Sequence, residues 1–137
     1  MSTFNVKEII SSLEDIVKNL EEGVDKSKKR SRIVRFLDQF LGLIVSSPGP
    51  FLGAYTREPA IGRFISTYST LRDIHMQIST EKELEDLYKR LNELLIFKAE
   101  PIMEAIKNGK KREAIIMKIE DFLNNLKEIT KKIKQNY

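Results

Sequence analysis

The sequence predicts an all-α fold, an antiparallel helical bundle of about five helices in one domain spanning residues 1–137. Three observations carry this expectation. Apolar residues recur every three or four positions through most of the chain, the spacing that gathers them on one face of a helix. Glycine and proline are scarce, at 6 and 4 residues, as helix interiors require. The last stretch places Ile115, Ile119, Phe122, Leu126, Ile129 and Ile133 in alternating steps of four and three, which is a heptad seam.

The first helix is expected from about Asn5 to Glu22, with Val6, Ile10, Leu13, Val17 and Leu20 on its apolar face. Asn5 suits the cap position and Gly23 suits a stop. A polar linker, Val24 to Ser31, leads to a second helix over about Arg32 to Val45, capped by Ser31. Its apolar residues run almost all the way around, which marks a central helix or one covered by a partner. Ser46 to Tyr55 contains Pro48-Gly49-Pro50 and cannot continue as regular helix. This Pro/Gly-interrupted loop between helices 2 and 3 is apolar, with Phe51, Leu52 and Tyr55 needing shelter. Two readings stand: a loop folded over the core, or a contact loop for a protein partner.

Pro59 suits the first turn of a third helix, whose face is Ile61, Phe64, Ile65, Tyr68, Leu71, Ile74 and Ile78. Thr80 suits the cap of a fourth, running from Glu81 to Lys107. Pro101 lies inside it and strips the Phe97 carbonyl of its donor, so a kink or break is expected near Ala99–Glu100. Asn108-Gly109 ends that helix in a tight turn, and a fifth helix from Lys110 to about Lys134 folds back along it.

Composition narrows the function. Apolar residues make up 41% and charged residues 32%, so the chain has the means to fold. With no cysteine, disulfides, thiolate nucleophiles and sulfur-ligated metals are excluded. Met1 to Glu22 carries charges throughout, unlike a signal peptide, and no apolar run reaches the length of a membrane span. A cytoplasmic protein with no membrane partner is the expectation. His75 is the single histidine, too few for a histidine-based metal site. No nucleophile elbow and no phosphate-binding glycine loop is present. Glu81/Glu85 and Glu100/Glu104 sit four apart on helix faces, but no Glu-x-x-His accompanies them, so they read as solvated, salt-bridged surface. Neither an enzyme nor a cofactor is expected, with carboxylate chemistry or a metal as the minor alternative.

The charge distribution points to contacts. The net charge is +4, and six cations fall within ten residues: Lys26, Lys28, Lys29, Arg30, Arg32 and Arg35. A second basic set begins with Lys110, Lys111 and Arg112, and continues with Lys127, Lys131 and Lys134 on one stripe. Arg57 and Arg63 flank the third helix start. Such clusters suit phosphate. They also suit an acidic protein surface, or no ligand beyond water. The first and second sets form one phosphate track only if the fold places them together.

Tyr68-Ser69-Thr70-Leu71-Arg72, followed by Leu84 to Gly109 with its Leu94-Leu95-Ile96-Phe97-Lys98-Ala99 segment, resembles the small helical subunits of type III CRISPR effector complexes. The resemblance covers about half the chain. It implies a basic helical bundle without an active site, lining a guide–target RNA groove. From the missing chemistry and the charge distribution, the expected function is a non-catalytic interaction or assembly protein, a subunit of a larger complex or an oligomer, with a basic surface able to contact nucleic-acid backbone. The alternative, to which the resemblance belongs, is a nonspecific RNA- or DNA-binding helical protein.

Overall fold

The computed structural model describes residues 6–41 and 58–136, with side chains described over 6–29 and 58–136. The described residues are all-helical and form four helices rather than the five expected. Helix α1 is Val6–Leu41 and α2 is Pro59–Gln77. Helix α3 joins an α-helical stretch Glu85–Leu94, a π-helical turn Leu95–Ala99 and a second α-helical stretch Glu100–Lys107. Helix α4 is Arg112–Asn136. No helix is long and apolar enough to cross a membrane among the described residues. The Pro-Gly-Pro segment and its Phe51, Leu52 and Tyr55 lie outside the described residues.

The main correction concerns α1. Gly23 does not stop it, Val24–Ser31 is not a linker and Ser31 does not cap a new helix, because all lie within one continuous helix. The reason is packing. Leu13, Leu20, Val24 and Ser27 are buried in helical register, so the stripe continues through the polar composition. Gly23 is present because α2 passes too close for a side chain. A Cβ there would sit 2.6 Å from Arg63 Cδ and 3.0 Å from the Pro59 carbonyl oxygen. Ser27 is fully buried, and its Oγ accepts the Ala60 backbone N–H at 2.9 Å, one of the donors that a helix start leaves without an internal partner. Small residues thus let α1 run against the N-terminus of α2, and Arg63 reaches across to donate to the Asn19 carbonyl at 2.8 Å.

Helix α2 starts at Pro59 as expected, with Ile61, Phe64, Leu71 and Ile74 buried, but Ile65 faces solvent. Thr80 is not a helix cap. It ends a 3₁₀ turn, Ile78–Thr80, and a second such turn, Lys82–Leu84, precedes α3. Glu81 between them is extended. These tight turns carry the chain round with both Ile78 and Leu84 buried.

Pro101 acts as its chemistry dictates. The helix absorbs the missing N–H by inserting one residue, and the Glu100 N–H donates to Leu95, five residues back. The turn at Asn108–Gly109 is a Schellman closure. Gly109 takes φ +67°, Lys110 N–H donates to the Ala105 carbonyl and Gly109 N–H donates to the Ile106 carbonyl.

Helix α4 is the central element. Every member of its heptad seam is buried, together with Ile116, Leu123 and Thr130. Phe122 meets Phe64 of α2 edge to face, ring centroids 5.1 Å apart. The seam is therefore filled within the chain and is not left for self-association. Along α1 and α4, Glu14 faces Lys134, Glu21 faces Lys127 and Lys28 faces Glu120, so the two helices run in opposite directions in heptad steps.

Candidate phosphate-contacting surface

Three helices meet at one buried polar junction. Glu58 precedes α2, Arg112 begins α4, and Ser27 lies midway along α1. The Glu58 side chain is only 4% exposed, and its Oε1 lies 2.6 Å from Arg112 Nε. That N–H is not aimed along the contact, so it is a charge contact rather than an aligned hydrogen bond. Arg112 Nη2 donates to the Ser27 carbonyl at 3.2 Å. The other oxygen of Glu58 has no hydrogen-bond partner among the described residues. A buried carboxylate is tolerable here because it sits at the positive end of α2 and beside the first residue of α4, where both helix dipoles favour negative charge.

This junction decides where the expected contact residues lie. It places the Lys26–Lys29 segment of α1 beside the start of α4 and the turn before it. Segments 85 positions apart in sequence are thereby brought together. Lys26, Lys29, Lys110 and Lys111 are exposed and form no ion pair among the described residues. Lys28 is partly engaged, 2.8 Å from Glu120. Arg112 is committed to the junction. Arg30, Arg32 and Arg35 lie on α1, but their side chains fall outside the described residues, as does Arg57. Because Ser31 is inside α1, the helix start expected at that residue, with its free N–H groups, does not exist.

The remaining basic candidates are divided. Lys127 and Lys134 are paired with Glu21 and Glu14, at 2.6 and 3.4 Å. Lys131 is exposed between them. Arg63 serves the α1–α2 contact and reaches Glu22 at 3.3 Å.

Sequence reasoning did not single out Glu58 or Ser27. An acidic residue immediately before Pro59 was the available signal for the first, since a helix start favours negative charge. The second was readable from its step of seven after Leu20.

His75 is half-buried and stacks on Tyr88, ring centroids 4.1 Å apart and planes 10° from parallel. Its buried Nε2 has no hydrogen-bond partner. Burial lowers its pKa below the ordinary 6.5, since a charged ring would lose its hydration. The folded chain therefore binds this proton less readily than the unfolded chain. The contribution to stability is complete above pH 6.5 and declines as the pH falls through and below it. Urea unfolding from about pH 7.5 to about pH 5.5 is expected to show a larger loss of stability in the native chain than in His75→Phe, which keeps the stack without the titration. Parallel losses in both proteins would refute this role.

Among the described residues, no three histidine, aspartate or glutamate side chains gather as a metal site, and Glu58 is the one buried carboxylate. No known family model matches the chain, and neither a curated protein nor a solved structure matches it.

Proposed function

We propose that this chain is a non-catalytic interaction or assembly protein, a subunit of a larger complex, whose basic end contacts nucleic-acid backbone. The observation that supports the reading is the Arg112–Ser27 hydrogen bond, which brings the segment of α1 that carries Lys26 and Lys29 against the start of α4, next to Lys110 and Lys111. These four ammonium groups are uncommitted within the described residues, while Lys28, Lys127 and Lys134 have carboxylate partners. Long, mobile lysine side chains suit sequence-independent phosphate contact. The sequence carries no recognised base-reading motif, so binding to RNA or DNA would be electrostatic. The resemblance to small CRISPR-complex subunits inclines the reading toward RNA.

The test is anisotropy titration of single- and double-stranded RNA and DNA across a salt series. Exchanging Lys26, Lys29, Lys110 and Lys111 for glutamine is expected to lower the slope of log K against log salt by about 3. Helical content should not change, because all four side chains are exposed. Salt-independent binding, or identical titrations for the two proteins, would refute phosphate contact. Capture from native cells with and without nuclease separates a direct protein partner from nucleic-acid bridging.

A further inference from the structure

The π-helical turn in α3 has a consequence at the surface. A regular helix through Leu91, Leu94 and Leu95 would bring residue 98 back to the buried stripe. With one residue inserted, Ala99 and Ile102 take the buried positions instead, and Ile96, Phe97 and Lys98 all face out. Phe97 is 70% exposed, and Met117 on α4 is 71% exposed. Both line a seam between α3 and α4 whose floor is Leu94, Ile102 and Ile129. Two adjoining hollows of about 250 and 310 Å³ occupy it, sharing Phe97 and Lys98. A large aromatic held in water beside hollows with an apolar floor and a charged rim is the form of a protein contact.

We propose that this seam is a two-fold interface with a second copy of the chain, centred on Phe97. The rim charges name the occupant. At the end nearer Arg90, that residue is bound to Asp86 at 2.8 Å, leaving Glu93 and Glu128 against Lys132, an acidic excess. At the end nearer the Asn108–Gly109 turn, Lys98 is bound to Asp121 at 2.8 Å, leaving Lys118, a basic excess. A two-fold axis that crosses the seam at right angles lays each end on the opposite end of its partner, so Lys118 meets Glu93 and Glu128. Phe97 of each copy then enters the hollow beside Met117 and Pro101 of the other. A partner of one charge sign, such as nucleic acid, would be repelled at one end of this seam. The interface lies on the α3–α4 hairpin, and it stands or falls independently of the phosphate-contacting surface.

Sedimentation of the full chain over a concentration series tests the proposal. A monomer–dimer equilibrium is expected. Phe97→Asp should weaken it by at least about 30-fold, as burial of a charge at the centre of an interface does. Because Phe97 is exposed, circular dichroism should be unchanged, as should the thermal midpoint at concentrations where both proteins are monomeric, and Met117→Asp gives an independent second variant. Met76→Asp, exposed elsewhere on α2, should leave the dimer intact. Lys118→Glu and Glu128→Lys should each weaken the dimer, and the double reversal should restore it. Exchanging Lys26, Lys29, Lys110 and Lys111 for glutamine should not alter the mass. A chain that stays monomeric at up to about 0.5 mM, well above the micromolar Kd of a modest interface, overturns the proposal. So does a dimer indifferent to both Phe97→Asp and Met117→Asp, or a double reversal that fails to recover.

Discussion

Arg112→Leu is expected to lower the free energy of unfolding by about 3 kcal/mol, at the lower end of what removing one partner of a buried ion pair costs. The variant leaves the Glu58 carboxylate, 4% exposed, without its cation, and it also strips the Ser27 carbonyl of a donor. The lower end applies because about a quarter of the Arg112 side chain meets solvent, so water can reach the junction. For a domain whose whole stability is about 5–15 kcal/mol, this is a large fraction. Adding Glu58→Gln should recover much of the loss, since the uncompensated charge and not the missing attraction dominates the penalty. Urea unfolding of the two single variants and the double variant measures both terms. A single-variant loss within about 0.5 kcal/mol would show that the three helices are held by their apolar contacts alone.

The second large effect is expected in the apolar interior. Phe122→Ala should cost about 3–5 kcal/mol, because the ring is fully buried on α4 and meets Phe64 of α2 edge to face at 5.1 Å and 84°. Phe64→Leu should cost less, and the cycle between the two sites should show a coupling of about 0.5–1.5 kcal/mol from the ring pair. Ile65→Ala, one position along α2 but 40% exposed, should stay within about 0.5 kcal/mol of the native value. If Ile65→Ala proved as costly as Phe122→Ala, the face of α2 assigned to the interior would be wrong.

Much of this fold was legible in the order of residues, and each failure has a physical cause. The heptad seam from Ile115 to Ile133, the start at Pro59 and the turn at Asn108–Gly109 were all readable, because each rests on local geometry. Pro101 announced a disturbance, but not that the helix would insert a residue and turn Phe97 outward. Which register follows an insertion depends on the neighbouring helices. Gly23 and the Lys-rich stretch after it read as a break because glycine and charge usually mark one. Here the glycine admits another backbone and the serine four residues later supplies a buried acceptor. Those roles belong to α2 as much as to α1. The candidate contact surface was half legible for the same reason: its cations stood out, but the segments that carry them are joined through the Glu58 carboxylate and the backbone carbonyl of Ser27, which have no individual distinction in the sequence.

The three ion pairs between α1 and α4 contribute little to holding the helices together, since each is about half in water. Their signs carry something else. Glu14 and Glu21 lie on α1 opposite lysines, but at the third rung the order reverses, with Lys28 opposite Glu120. Slide α4 by one heptad in either direction, and the apolar seam still finds apolar neighbours. One slide sets Glu21 against Glu120, and the other sets Lys28 against Lys127. A uniform ladder of acids on one helix and bases on the other would accept both errors. The inverted rung works as a proofreading mark, telling two long helices with repetitive interiors where along each other they belong.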